Sequence, residues 1–168
     1  MMPDLLHRIA TVFGVGYLRP APGTWGSLAA LPAALVLLWV GGPWLLILAT
    51  VLVFGVGLWA TGSVIAESHD TDPSEVVIDE VAGQWIALLP IAIGAANAGV
   101  AFTALWPGWV AAFLLFRLFD IWKPGPIGWA DRRGDALGVM LDDVIAGAFA
   151  AIGVAVLAGI AHGIMAVT

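Results

Sequence analysis

Two acidic pairs carry the clearest chemical signal in this sequence. They stand in matching contexts, Ile78-Asp79-Glu80-Val81 and Leu141-Asp142-Asp143-Val144, each just ahead of a long apolar stretch. Small residues follow one turn later, Ala82-Gly83 in the first and Ala146-Gly147 in the second. Side chains three or four apart share a helix face, and small residues let membrane helices approach closely. Two such helices would therefore bring four carboxylates together, and a fifth acid, Asp120, ends another apolar stretch. Clustered carboxylates repel unless something neutralises them. Oxygen ligands without cysteine and without suitably spaced histidine favour Mg²⁺, Mn²⁺ or Ca²⁺ over Zn²⁺. One acidic pair alone would be explained as a complement to a helix dipole. Two matched pairs plus Asp120 point instead to a metal ion held by Asp79, Glu80, Asp120, Asp142 and Asp143. His7, His69 and His162 have no ligand spacing and are assigned no role.

Cations flank the fifth acid. Arg117 and Lys123 each lie three residues from Asp120, so a helix continuing through all three would put them on neighbouring positions of one face. Metal-bound carboxylates beside Arg and Lys suit a phosphate ester, which bridges the ion while the cations hold its other oxygens. The plainer reading of both cations is snorkelling to the membrane interface. Residues 14–27 are rich in Gly and Pro without being polar. Their amides, with the hydroxyls of Thr24 and Ser27, could form a second anion cradle at a helix start. A simple N-cap is the alternative for either hydroxyl.

The elements that must position these groups are membrane helices. The 168 residues are 61% hydrophobic and only 11% charged, with a mean hydropathy of +1.01, whereas soluble domains carry about 25% charged residues. Apolar runs at 26–40, 43–66, 81–97, 98–119 and 144–167 contain a single charge, Arg117. A bilayer core needs roughly 20 apolar residues per helix, and none of the runs alternates as a barrel strand would. The expected fold is all-α: a polytopic membrane helix bundle of about five spans, forming one domain over residues 1–168. The fourth run is the least regular, because Trp106-Pro107-Gly108-Trp109 either kinks it or forms the turn before it. Counting crossings puts every charge on one side. All six basic residues (Arg8, Arg19, Arg117, Lys123, Arg132, Arg133) are among them, so that side, with the acidic loops, is expected to face the cytoplasm. Tryptophans near both predicted interfaces fit aromatic belts.

Taken together, the motifs identify a relationship. Pro-Gly-Thr-Trp-Gly-Ser-Leu at 22–28, Asp-Glu-Val-Ala-Gly-Gln at 79–84, Arg-Leu-Phe-Asp-Ile-Trp-Lys-Pro at 117–124 and Gly-Val-Met-Leu-Asp-Asp-Val-Ile-Ala-Gly at 138–147 resemble, in order, those of the bacterial phosphatidylglycerophosphatase A family. The resemblance implies a Mg²⁺-dependent, multi-pass phosphatase of the bacterial inner membrane. This phosphoric monoester hydrolase would convert phosphatidylglycerophosphate to phosphatidylglycerol and inorganic phosphate. Its partner would be a phospholipid in the membrane, with no nucleic acid expected. Family members often carry Gly-Gly ahead of the last acidic motif, where this chain has Asp135-Ala136, so that loop is expected to differ in shape. The rival from another class is a small divalent-cation transporter or channel subunit. It would use similar carboxylates but would want polar groups deep in its spans, where this chain has few beyond Thr50, Thr61, Ser63, Gln84 and Thr103.

Overall fold

The computed structural model describes residues 5–68 and 70–165, and among these it is helical without strands. The chain runs through α1 (Leu5–Ala10), α2 (Pro22–Ser68), α3 (Ile78–Ala98), α4 (Trp106–Trp122), α5 (Pro126–Asp131) and α6 (Ala136–Met165). Four of these, α2, α3, α4 (with the 3-10 turn before it) and α6, are long and apolar enough to cross a membrane.

The first of them is two arms. At Gly42 the backbone takes φ 64° and ψ −161°, a conformation that glycine adopts without steric cost, and Pro43 follows. A straight helix would separate Gly26 from Gly57 by about 46 Å at 1.5 Å per residue. Instead both meet adjacent residues of α3 and its approach: a Cβ built on Gly26 would lie 2.8 Å from Val77 Cβ, and one on Gly57 3.4 Å from Ile78 Cγ1. The arms therefore fold back on each other, and the two apolar runs read as separate spans are the two halves of one hairpin. With α3, α4 and α6 this gives five apolar segments. The uncertain fourth run also resolves. Gly99 (φ 66°) ends α3, a short 3-10 turn spans Phe102–Leu105, and Trp106 opens α4 with Pro107 in its first turn, where a missing N–H costs nothing.

α3 is the central helix. Its most apolar window is 56% buried, against 11% to 22% for the other three. Its partner is α6, and the small residues make the contact. A Cβ on Gly83 would lie 2.6 Å from the Asp143 carbonyl oxygen, and one on Gly147 3.0 Å from Gly83 Cα. The segment before α3 is held by the N-terminal region, because the Val77 N–H donates to the Ala10 carbonyl at 2.9 Å. Exposed tryptophans mark both ends of the bundle, Trp39, Trp44 and Trp106 at one and Trp25, Trp122 and Trp129 at the other, as aromatic belts require.

Candidate active site

The starts of α2 and α3, the end of α4 and the first turns of α6 meet at one end of the bundle around a cavity of ≈ 270 Å³. All five acids singled out in the sequence line it. They form two groups, Asp79-Glu80-Asp143 and Asp120-Asp142-Asp143, within each of which one carboxylate oxygen per residue lies within 4.8 Å of the others. Asp143 belongs to both. The glycine contact between α3 and α6 explains this placement, since it lets the helix bearing Asp79 and Glu80 touch the helix bearing Asp142 and Asp143.

Each acidic pair is locally ordered. The Glu80 N–H donates to Asp79 Oδ1 at 3.0 Å, and the Asp143 N–H to Asp142 Oδ1 at 2.9 Å. Asp79, Asp142 and Asp143 are buried, and the Glu80 and Asp120 side chains are 12% and 13% exposed. Glu80 Oε2 and Asp143 Oδ2 are buried without a hydrogen-bond partner. Oxygens left unpaired in a buried site carry a large desolvation cost, and a hard divalent cation is the species that such oxygens satisfy. The donor set therefore fits a metal ion.

Two cations face the acids. Arg117 Nη1 pairs with Asp120 Oδ2 at 2.7 Å, approaches Glu80 Oε1 at 3.9 Å and donates to Ser27 Oγ at 3.4 Å. Lys123 Nζ donates to Asp142 Oδ2 at 2.7 Å and to Asp131 Oδ1. Burial works against the lysine's charge, but the hydrogen bonds to Asp131 and Asp142 outweigh it and raise its pKa above the ordinary amine value. A helix continuing through all three would have put Arg117, Asp120 and Lys123 on one face. The structure instead ends α4 at Trp122, with Lys123 in the left-handed region (φ 49°) as its cap. This turn sends Lys123 away from Asp120 and towards α5 and α6.

The Gly-Pro segment acts differently from its simplest reading. Ala21, Pro22 and Gly23 line the cavity at the start of α2, and Thr24 does not. Ser27 is fully buried; it donates to the Gly23 carbonyl at 2.8 Å and accepts from Arg117. Gly23 is the residue that sequence reasoning missed. A Cβ there would collide with Glu80 Oε1 and lie 3.1 and 3.2 Å from the two terminal nitrogens of Arg117. Asp131 and Asp72, which belong to neither acidic pair, also line the cavity. His7 pairs with Tyr17 and His162 with its own helix carbonyl at Ala158; His69 lies outside the described residues. In the loop where this chain departs from the family pattern, Asp135 Oδ1 accepts the Gly138 N–H at 2.7 Å and so caps α6.

A profile of phosphatidylglycerophosphatase A matches residues 8–158, which is most of the chain. The chain belongs to the phosphatidylglycerophosphatase A family. Among its relatives, a phosphatidylglycerophosphatase A of Haemophilus influenzae is 37% identical over 148 residues, covering 88% of this chain and 85% of its own. The phosphatidylglycerophosphatase A of Escherichia coli is 36% identical over 153 residues, covering 89% of this chain and 81% of its own. A Bacteroides thetaiotaomicron protein with the provisional name phosphatidylinositol-3-phosphatase is 37% identical over 153 residues, covering 88% and 90%. No solved structure matches the chain. The comparisons lend no support to the cation-transporter alternative.

Proposed function

We propose that this protein hydrolyses the terminal phosphomonoester of phosphatidylglycerophosphate, releasing phosphatidylglycerol and inorganic phosphate. The observation that carries the reading is the pair of carboxylate groups sharing Asp143 in one cavity with Arg117 and Lys123, in a chain of this family. With Asp72 and Asp131, the five acids make seven lining the cavity, which outnumber the two cations by five charges when all are ionised. An anionic phosphate enters such a cavity only when further positive charge is present.

Mg²⁺ is the ion we assign to these carboxylates, and when bound it supplies charge neutralisation and polarisation of the phosphoryl group. The chain's own residues do the rest. Arg117, held by Asp120 and Ser27, presents donors to phosphate oxygens in a planar fork. Lys123, kept protonated by Asp131 and Asp142, offers a second positive contact. The start of α2 at Pro22-Gly23 directs the positive end of its helix dipole at the same cavity. Of the two hydroxyls read as a second clamp, Ser27 acts through Arg117, while Thr24, which does not line the cavity, has no part in this scheme. Phosphoryl transfer depends mainly on positioning and charge stabilisation, so no Ser-His or Cys nucleophile is needed.

The site faces the cytoplasm of the bacterial inner membrane in this reading, because all six basic residues belong to the acid-bearing end or its connecting segments. Acyl chains would lie along the apolar outer faces of the helices, leaving the phosphate at headgroup depth. The test is phosphate release by purified protein in detergent. Phosphatidylglycerophosphate should be hydrolysed, EDTA should stop the reaction and Mg²⁺ should restore it. Failure under any metal, with cation flux into proteoliposomes instead, would overturn the assignment.

A further inference from the structure

Gln84 is fully buried, one turn below Glu80 on α3, and neither its amide oxygen nor its amide nitrogen has a partner. A buried amide without hydrogen bonds costs free energy that an apolar residue would not. Two other orphaned atoms complement it. Arg117 Nε is a donor without an acceptor, and Glu80 Oε2 an acceptor without a donor. One side-chain amide supplies the missing partner of each kind.

The helix geometry brings the three groups to one place. Gly83 packs against Phe116, and Gly108 against Ile91, so α3 and α4 run antiparallel with Gln84 opposite the turn that carries Arg117. Gly83 faces both α6 and α4. Ile91, two turns on from Gln84 and on its face, packs against Gly108 of α4, and the Trp85 indole donates to Ala30 of α2 at 2.9 Å. Gln84, between Gly83 and Trp85 in the helical rotation, therefore points into the junction of α2 and α4, where Ser27 already meets Arg117. Helix side chains lean towards their own N-terminus, which carries the Gln84 amide up towards Glu80.

We propose that Gln84 is a positioning residue for phosphate recognition. On phosphate entry its amide oxygen accepts from Arg117 Nε and its NH₂ donates to the lone pair of Glu80 Oε2 that a bound cation leaves free, which fixes the guanidinium fork against the anion. This rests on the reading of the cavity as a phosphate site. Gln84→Met tests it, since methionine keeps the unbranched shape and loses only the amide. The probes are inorganic phosphate and Mn²⁺, titrated calorimetrically into the purified full chain in detergent, with thermal unfolding alongside.

Gln84→Met should weaken inorganic phosphate binding roughly tenfold, the effect of one hydrogen bond to a charged group. Mn²⁺ affinity should stay within about twofold, and thermal stability should be unchanged or higher, as expected when an unsatisfied amide is removed. In an Arg117→Lys background, which lacks the Nε–H, Gln84→Met should add little further loss. Unchanged phosphate affinity, a loss that adds fully to that of Arg117→Lys, or parallel falls in Mn²⁺ affinity and stability would overturn the proposal. Phosphate binding by wild type without hydrolysis of the lipid would count against the assigned reaction and leave this test intact.

Discussion

Asp143 sits at the overlap of the two carboxylate groups, with one oxygen unpartnered, while Asp120 joins the acids to Arg117. Removing charge at either position while keeping shape should lower turnover by orders of magnitude, because a lost ligand or orienting group removes charge stabilisation in the transition state. Assays of Asp120→Asn and Asp143→Asn at limiting Mg²⁺, with membrane levels checked by immunoblot, measure this. Arg117→Lys separates recognition from snorkelling. A guanidinium that binds two phosphate oxygens is not replaced by an ammonium, so turnover should fall although charge is kept; an arginine that only reaches for the interface would be replaced freely. Gly23→Ala should lower turnover, because the added methyl would displace the Glu80 carboxylate and crowd the Arg117 guanidinium. A Gly23→Ala enzyme with normal kcat/KM would mean that the Glu80 and Arg117 side chains shift without loss of function. Of these residues, the acids and Arg117 were legible in the sequence because charge in an apolar chain is conspicuous. Gly23 was not, since a glycine beside proline reads as a turn signal, and only the tertiary approach of α2 to α3 and α4 reveals its use. Asp131 and Asp72 escaped for a related reason: Asp131 ends the short α5 and Asp72 stands in the loop before α3, and their approach to the cavity is set by the left-handed turn after α4 and by the N-terminal segment.

At the level of elements, the contact between Gly83 and Gly147 holds the two acidic helices together. The repeat of acid pair and small residue in the sequence foretold this crossing, because close helix approach has a simple compositional requirement. The hairpin at Gly42 was legible as the break between two apolar runs, and its two arms correspond to those runs. The ending of α4 was legible in Pro124, which disfavours helical backbone at the residue before it, but the left-handed turn that takes Lys123 to α5 and α6 was not. Gly147→Val should push α3 from α6 and cost about 1–3 kcal/mol, weakening Mn²⁺ binding without touching an acid. Calorimetric Mn²⁺ titration, with thermal unfolding, reports both; wild-type metal affinity in that variant would separate the helix contact from the site. The cap of α6 yields a pH dependence. The hydrogen bond from Arg133 and then the Gly138 amide hold Asp135 below the ordinary carboxylate pKa of 3.8. A depressed acid contributes stability above that value and loses it as pH falls through the lower folded-state value. Asp135→Ala should therefore unfold at lower temperature than wild type at neutral pH, and the difference should shrink at about pH 3. A gap of equal size at both pH values would contradict the charged cap.

Among the described residues the charge gathers at one end of an otherwise apolar bundle, and the catalytic proposal requires that end to be a single surface. Reporter fusions after Asp72 and Asp131 should give cytoplasmic signal, and one after Thr168 periplasmic signal; a cytoplasmic C-terminus would break the count of five crossings. The central claim is that the five-carboxylate cavity performs metal-dependent hydrolysis of a lipid phosphate. Its most direct test is phosphate release from phosphatidylglycerophosphate as a function of Mg²⁺, measured side by side for wild type and Asp143→Asn in detergent. Saturable dependence on Mg²⁺ in wild type, with a loss of orders of magnitude in the variant, is the predicted result. Release that ignores Mg²⁺, or persists at the wild-type rate without the Asp143 carboxylate, would contradict it.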